Sequence, residues 1–342
     1  MPDIPLSISK SPAGSAVLTS EQVACLLATA GRAPSLHNTQ PWRFRVHGNG
    51  LDLYADPDRR LRAIDPDGRE MLISCGAALY GLRLGIRHLG YQAAVELLPE
   101  PGQPSLLARV RLGRQAPLTA EEWDMLAAVP HRHTHRGPFS PDPIPPGMLP
   151  RLQHDAIAEG ATLVLLDDRA RGRLRDLVEA AARWQQRNPM VRDELRSWIR
   201  ERGSESRDGV PASAYTALPA GETDASAGWD GGLAQRDFDQ GRGEGQLEAD
   251  GEPPSVTAIL VTAADTPTDW LRAGQALNRM LVHAATEWVF AALNSQPMES
   301  PPLRTLVRSR LFLPGAPQML LEFGRAHTAA ATARRPVGDL IL

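Results

Sequence analysis

Residues 32–44 read RAPSLHNTQPWRF, and this stretch decides how the rest of the chain is interpreted. It follows a predicted helix at 18–32 and precedes a predicted strand at 42–46, a position where backbone and polar groups can converge on a ligand. Pro34 and Pro41 restrict the backbone of this loop. The side chains suited to hydrogen bonding along the edge of a flat heterocycle are Ser35, His37, Asn38 and Gln40. The sequence therefore predicts a loop that binds a planar ring.

The chain around this loop reads as a unit of helices and strands. Residues 18–32 predict an amphipathic helix with Thr19 or Ser20 as its N-cap. An HGNG turn joins the strand at 42–46 to a second strand. The other predicted elements of this half are a helix at 70–89 and strands at 51–55, 93–98 and 106–112. We expect this first half to span residues 1–128.

The second half repeats the order of elements, as expected of a duplicated unit. Its predicted elements are helices at 144–156 and 271–293 and strands at 162–166, 256–262 and 318–323. We therefore predict an α+β fold of two related halves, with mainly antiparallel sheets flanked by helices and with the long helices between the halves. The second half is expected to span 129–169 and 255–342.

Residues 170–254 are predicted to be an insertion between two strands of the second half. Its first part, 171–202, reads as helix, whereas the remainder is dominated by Gly, Asp, Ser, Ala and Pro with few periodic apolar positions. Two interpretations stay open for 220–254: a partly flexible lid over the binding site, or a disordered surface excursion. The GRGEG run at 241–245 lacks the flanking strand and helix of a dinucleotide fingerprint.

Composition limits the classes of partner. The 342-residue chain is 42% apolar and has a net charge of −3, so no overall field attracts nucleic acid or an anionic membrane. No apolar run approaches the roughly 20 residues of a membrane span, and the N-terminus lacks a signal-peptide pattern. Cys25 and Cys75 both lie in apolar helical runs, which favours reduced thiols. We expect a cytoplasmic globular protein that has neither a nucleic-acid nor a membrane partner.

A second polar motif, RHTHR, occupies residues 132–136. On an extended chain Arg132, Thr134 and Arg136 project to the same side. Two guanidinium groups and a hydroxyl in that arrangement suit one phosphate group. This motif therefore predicts an anion site.

A zinc site is the alternative interpretation of the same segment. The segment also contains alternating histidines, His131, His133 and His135, at a spacing that suits zinc. This spacing raises a zinc hydrolase as an alternative function. The neighbouring arginines place fixed positive charge beside such an ion, and no acidic residue stands close by to orient the imidazoles. A phosphate site is the favoured interpretation.

Three aromatic or heterocyclic side chains fit a functional and a structural role. His37 can orient a ligand or can serve as an ordinary hydrogen-bonding residue of a loop. Trp184 and Trp198 can line a lid, although tryptophan on a helix face usually serves packing.

The two motifs, together with the C-terminus, resemble segments of the nitroreductase superfamily. Residues 33–42, APSLHNTQPW, resemble the APSxxNxQPW-like stretch that these proteins carry after their first helix. RHTHR is similar to their RxSxR segment, with Thr134 in place of serine, and RRPV at 334–337 resembles their basic RxP-type tail. With GAPQMLLEFGRA at 315–326, the motifs look most like the Acg branch of the superfamily.

The resemblance implies a nitroreductase-like fold with one FMN per chain, bound where the halves of a fused pseudo-dimer meet. The first half would contribute residues 34–42, and the second would contribute 132–136 and the tail. NSQPME at 294–299 stands where nitroreductases approach the flavin with backbone. The expected cofactor-binding residues are Arg32, Pro34, Ser35, His37, Asn38, Gln40, Trp42, Arg132, Thr134, Arg136, Ser295, Gln296, Arg334 and Arg335.

The expected function is oxidoreduction through FMN, in which NAD(P)H reduces the flavin and the flavin reduces a small-molecule acceptor such as a nitro compound or a quinone. The flavin carries the chemistry, so no catalytic side chain is predicted. The alternative is a non-catalytic protein that binds and sequesters FMN beneath a lid. The fused halves favour a monomer, and further homodimerisation stays open.

Overall fold

The computed structural model describes residues 17–136, 139–201, 203–211, 236, 238, 255–327 and 332–342. Its helices are α1 Ser20–Gly31, α2 Arg69–His88, α3 Ala120–Ala128, α4 Met148–Ala158, α5 Asp168–Arg187, α6 Pro189–Trp198, α7 Pro267–Ala285, α8 Gln296–Glu299 and α9 Pro301–Arg310. Its strands are β1 Trp42–His47, β2 Gly50–Ala55, β3 Tyr91–Leu97, β4 Leu106–Gln115, β5 Thr162–Leu165, β6 Ile199–Arg200, β7 Val210–Pro211, β8 Val256–Thr262, β9 Val289–Leu293 and β10 Ala316–Arg325. None of the helices in these ranges has the length and apolarity needed to cross a membrane.

The two halves of the chain share one topology. The first sheet has the strand order β1-β2-β4-β3 and the second has the order β5-β8-β10-β9, and all neighbours are antiparallel. In each half a helix precedes two strands, and a long helix, α2 or α7, separates these from two more strands. The insertion separates β5 from β8. The predicted α+β fold and its repeated order of elements are confirmed.

Local hydrogen bonds explain where the first two helices begin. Thr19 is the N-cap of α1: its hydroxyl accepts from the backbone N–H of Gln22, and the Gln22 side chain accepts from the Thr19 N–H. At the start of α2 the carboxylate of Asp65 accepts from the backbone N–H groups of Glu70 and Met71. Both arrangements satisfy N–H groups that have no partner inside the helix.

The long helices α2 and α7 cross at glycines. A Cβ atom on Gly274 would lie 1.9 Å from the carbonyl oxygen of Ile73, and one on Gly76 would lie 2.2 Å from that of Leu271. Non-bonded atoms cannot approach so closely, so any side chain at either position would force the helices apart. The halves therefore meet backbone to backbone, which sets the first turn of α2 beside the second half.

The predicted helix at 271–293 is wrong at its C-terminal end. Helix α7 ends at Ala285, Trp288 adopts a positive φ of 57°, and Val289–Leu293 form strand β9 against β10. The run VFAAL is uniformly apolar, and such a run does not distinguish a buried strand from a helix by its periodicity. These residues form a strand because their backbone groups hydrogen-bond to the edge of β10.

The helix predicted at 171–202 is two helices. Asn188 ends α5 and caps α6, and Pro189 begins α6, because a residue before proline is disfavoured in helical conformation. Helix α5 packs against β8 and β10 through Leu174, Leu177 and Val178. Most of 220–254, for which a lid was one interpretation, lies outside the described residues, as does the GRGEG run.

The C-terminal tail of the second half packs on the first half. The backbone N–H of Leu342 donates to the carbonyl of Phe44 at 2.8 Å, and Ile341 forms a parallel bridge with the same residue of β1. Leu340 is buried in the core of the first half. This crossing carries the tail arginines back to the loop that follows α1.

Candidate functional site

A cavity lies between the two halves. The first half lines it with Pro34, Ser35, Leu36, His37, Glu70, Ile73 and Ser74. The second half lines it with Thr134, His135, Arg136, Leu277, Ala292, Leu293, Asn294, Ser295, Gln296 and Met319. The insertion adds Arg236 and Phe238. The two segments that the sequence singled out therefore meet at one cavity.

The RHTHR segment runs along the edge of β9 in an extended conformation. Thr134 forms a parallel bridge with Ala291, and the backbone N–H of His135 donates to the Ala291 carbonyl at 2.9 Å. Alternate side chains of an extended chain share a direction. Thr134 and Arg136 both line the cavity, but so does His135 between them, whereas Arg132 does not, so the predicted alternation of the three residues holds only in part.

The binding loop, defined as residues 33–41, is held in a strained shape. The residues with positive φ are His37 at 49°, Asn38 at 56° and Gln40 at 49°. Such a conformation costs a non-glycine residue about 1–3 kcal/mol, so the surroundings must enforce it. One brace is Ser74 of α2, whose hydroxyl accepts from the backbone N–H of Leu36 at 3.3 Å. Packing on α2 therefore shapes the loop.

Asn38 does not line the cavity. Its Nδ2 donates to the carbonyl oxygens of Gly209 and Ala333, each at 3.1 Å. These partners belong to the insertion and to the C-terminal tail. The Asn38 amide thus joins the binding loop to both segments.

Replacing Asn38 with alanine is expected to lower the free energy of unfolding by about 1–3 kcal/mol, because two carbonyl groups lose their donor. The segment at 203–211 also loses a link to the loop, so limited proteolysis should cut there faster. Asn49→Ala, in the exposed turn between β1 and β2, is the control and should change stability little. Equal melting temperatures and equal cleavage rates for the two variants would contradict this role of Asn38.

Gln40, Trp42 and Arg335 also lie outside the lining of the cavity. Oε1 of Gln40 accepts from the backbone N–H of Arg335 at 2.9 Å, and the Gln40 carbonyl accepts from Nη1 of Arg335 at 3.1 Å. Nη2 of Arg335 donates to the carbonyl of Asp339 at 2.6 Å. Trp42 is fully buried in the core of the first half. Each contact fastens the tail or the loop and leaves the ligand space to other residues.

Four arginines form a cluster of positive charge behind the binding loop. Nη2 of Arg132 and Nη2 of Arg334 donate to the carbonyl of Arg32 at 3.0 and 3.4 Å. Nε and Nη1 of Arg132 and Nε of Arg334 have no hydrogen-bond partner among the described residues. Arg136 completes the cluster and lines the cavity, whereas Arg132 and Arg334 are not lining residues.

The pKa values of these arginines reflect the crowding of like charges. Burial lowers the pKa of Arg132 to about 10, with a smaller effect from Arg32, and lowers that of Arg136 to about 10, with a smaller effect from Arg236. Burial and the other three arginines also lower the pKa of Arg334. Among the ranges that the structure describes, no carboxylate pairs with Arg132, Arg136 or Arg334. Buried charges are normally paired, so the cluster has the character of a site for a multiply charged anion.

His37 lines the cavity with both ring nitrogens unpartnered within the described part of the chain. Burial lowers its pKa well below the ordinary value, and the charges of Arg236 and Arg136 act in the same direction. Its ring meets Phe238 edge to face, with centroids 5.6 Å apart. A neutral imidazole with two free nitrogens can donate one hydrogen bond and accept another from a ligand.

Each of the three histidines in this region, His131, His133 and His135, contacts an aromatic ring. The centroid distances are 5.7 Å from His131 to Trp288, 4.2 Å from His133 to Phe290 and 4.5 Å from His135 to Phe139. Among the described residues, the group whose atoms lie close enough to share one ion consists of Glu121, Asp155 and His283 instead. Nε of Arg279 donates to that Asp155 at 2.8 Å. The geometry therefore adds no support to the zinc alternative at 131–135.

Several lining residues carry no motif in the sequence. Glu70 is a lone acidic residue at the start of an apolar helix, a position that a favourable helix dipole explains equally well. Arg236 and Phe238 lie in a stretch of low complexity, and nothing in the local pattern marks them. Ser295 and Gln296, predicted as secondary candidates, do line the cavity.

Several relatives of this chain are described as "Putative NAD(P)H nitroreductase". No protein-family model matches it. It is 33% identical over 332 residues to "Putative NAD(P)H nitroreductase Rv3131" of Mycobacterium tuberculosis (strain ATCC 25618 / H37Rv), across 94% of this chain and 91% of that protein. It is 27% identical over 328 residues to "Putative NAD(P)H nitroreductase acg" of the same strain, across 95% and 96%.

A solved structure, a nitroreductase with bound FMN from Bacteroides fragilis NCTC 9343, matches with a TM-score of 0.36 and 12% identity over 62% of this chain and 93% of that chain. At that TM-score the likeness carries no weight beside the sequence relatives. The resemblance predicted from the motifs at 33–42 and 132–136 is confirmed by those relatives. With 33% identity across almost the whole length of one of them, the chain belongs to the NAD(P)H nitroreductase family.

Proposed function

We propose that this protein binds one FMN in the cavity between its halves and uses NAD(P)H to reduce a small acceptor such as a nitro compound or a quinone. The observation that carries the proposal is the arginine cluster, which has unpartnered N–H groups and no carboxylate partner among the described residues. A phosphate monoester supplies the charge and the oxygen acceptors that these groups lack. Membership of the family narrows the ligand from any anion to a flavin phosphate.

The remaining lining suits a flat, polar ring. Nδ2 of Asn294 and Oε1 of Gln296 are buried and unpartnered within the described ranges, as are both nitrogens of His37. Ile73, Leu277 and Met319 supply apolar surface to the same cavity. This mixture of a few unsatisfied polar atoms on an apolar wall is typical of cofactor sites. When bound, the flavin would supply hydride transfer, and the chain would supply binding, orientation and electrostatics.

We assign separate tasks to the two halves of the chain. Residues 1–128 would hold the ring through the binding loop, and residues 129–169 with 255–342 would hold the phosphate through Arg132, Arg136 and Arg334. The two halves would then act as a pseudo-dimer fused in one chain, so that a monomer holds a complete site. Residues 170–254, the insertion, would cover the cavity as a lid.

The second candidate function is binding of FMN without turnover. Arg236 of the insertion pairs with Glu299 in a buried contact, and Phe238 meets the ring of His37, so residues of the insertion form part of the cavity wall. If these contacts persist when FMN is bound, the insertion would restrict the access of an acceptor to the cavity. Oxidoreduction remains the first candidate because these relatives are described as "Putative NAD(P)H nitroreductase".

The protein purified from cells is expected to be yellow, and anaerobic mixing with NADPH or NADH should bleach the visible flavin absorbance. An added quinone should then restore the colour. Persistent colour with both nucleotides would instead favour binding without turnover. A colourless protein that fails to take up added FMN would overturn both candidates.

A further inference from the structure

Glu70 lines the cavity from the first turn of α2, and neither the motifs nor the proposed cofactor contacts account for it. The residue is 3% exposed. Its Oε1 accepts a hydrogen bond from Nη2 of Arg69. Within the described ranges, its Oε2 has no hydrogen-bond partner, and no other carboxyl group lines the cavity. One carboxyl oxygen of this cavity-lining residue is therefore left without a hydrogen-bond partner among the described residues.

The carboxylates near Glu70 are fully engaged, in contrast. Both oxygens of Asp65 accept backbone N–H groups at the start of α2. Both oxygens of Glu299 also accept hydrogen bonds, and the donors are Ser295, Arg236 and Gln185. These two groups are held in place and cannot turn towards a ligand without losing those bonds. Of these three carboxyl groups, only Glu70 has an oxygen without a hydrogen-bond partner among the described residues.

The charges around Glu70 suit a group that exchanges protons. Burial, helped by Glu299 and Asp65, raises the pKa of its carboxyl to about 7, while Arg69 and Arg304 oppose that rise. A general acid is most effective when its pKa lies near the working pH. His37, in the same lining, has a lowered pKa and remains neutral.

We propose that Glu70 is a proton donor for the reaction in the cavity, and that it delivers the proton of its carboxyl group to the acceptor as the acceptor is reduced. This inference rests on the proposed function. For a quinone acceptor, a hydride that originates from NAD(P)H supplies two electrons and one proton, and Glu70 supplies the second proton. The O–H bond of the carboxylic acid breaks as an O–H bond of the hydroquinone forms. The products are hydroquinone, NAD(P)⁺ and a carboxylate, which Arg69 holds until water returns the proton.

The test uses the FMN-loaded protein, reduced in advance and mixed with a quinone in a single turnover from pH 5.5 to 8.5. In the unchanged protein the rate should fall as the pH rises through about 7. In Glu70→Gln the rate should be roughly 100-fold lower below pH 7 and independent of pH, in line with loss of a general acid. Glu96→Gln, an exposed glutamate on β3, is the matched control and should keep the profile of the unchanged protein.

Two further readouts separate proton delivery from a purely structural role. An infrared band of a protonated buried carboxyl group should titrate near pH 7 in the unchanged protein and be absent from Glu70→Gln. The affinity for FMN should change by less than about threefold, since neutral glutamine keeps the shape of the side chain.

A rate that is independent of pH in the unchanged, FMN-loaded protein would overturn the role of Glu70 and leave the proposed function intact. Loss of FMN from Glu70→Gln would also overturn it, because the residue would then hold the cofactor instead. If the unchanged protein binds no FMN at all, the proposed function itself fails, and the inference about Glu70 fails with it.

Discussion

Arg132→Met is expected to weaken FMN binding by about 10- to 100-fold, since one charge-assisted hydrogen bond contributes about 1.5–3 kcal/mol. The same change should stabilise the protein freed of FMN by about 1 kcal/mol, because an apolar side chain replaces a buried cation. Arg132 is 7% exposed, and two of its nitrogens lack partners among the described residues. The Arg32 carbonyl keeps its second donor, Arg334.

Arg132→Met is thus expected to weaken FMN binding and, at the same time, to raise the stability of the FMN-free protein. The dissociation constant is measured by fluorescence quenching of FMN, and the melting temperature of the FMN-free protein by calorimetry. Arg308→Met, an exposed arginine on α9, should leave both quantities nearly unchanged. If Arg132→Met destabilised the FMN-free protein and bound FMN normally, the arginine would be a structural residue and the anion site would lie elsewhere.

Gly274→Ala is expected to lower the free energy of unfolding by about 3 kcal/mol, the upper end of the range for overpacked cores. The added methyl carbon would lie 1.9 Å from the Ile73 carbonyl oxygen and 2.8 Å from the Ala77 nitrogen, and both are backbone atoms that cannot turn aside. Helices α2 and α7 must therefore separate. Because α2 carries Glu70 and Ser74 into the cavity lining, FMN binding should weaken as well.

The control for this change is Gly172→Ala in α5. Apart from its two neighbours and the nearby backbone of α5, no atom of the described residues lies within 4 Å of a Cβ built on Gly172. Alanine is favoured over glycine inside a helix by roughly 0.5–1 kcal/mol, so this variant should be slightly more stable. Denaturant unfolding compares the two. A Gly274→Ala protein as stable as Gly172→Ala would mean that the helices do not meet at these glycines.

Most elements of the first half could be predicted almost to their ends, although helix α3 at Ala120–Ala128 was missed. Thr19 and its capping box mark the start of α1, and the HGNG turn marks the hairpin of β1 and β2. Such signals are local, because they depend on hydrogen bonds and turn preferences within a few residues. The apolar run VFAAL carried no signal of this kind, and its strand was missed.

Only part of the candidate site could be predicted, because only some of its residues belong to local motifs. Pro34, Ser35, Thr134 and Arg136 belong to short motifs, and all four line the cavity. Asn38 and Gln40 belong to the same motif, yet their amides bond to backbone from the insertion and the tail. Which neighbour an amide meets depends on segments far away in the chain, which no local motif contains.

The sequence by itself determined the duplicated α+β order of elements and the two motifs that resemble segments of nitroreductases. Hydrophobic periodicity, capping and alternation are properties of neighbouring residues, so they can be read from the chain. Only the tertiary structure decided that Gly76 and Gly274 bring the long helices into backbone contact and that Glu70 faces the cavity. It also decided that Arg132 and Arg334 stand together with no described carboxylate beside them. Burial and distance set the pKa of a charged group, and both arise only when remote parts of the chain pack against each other.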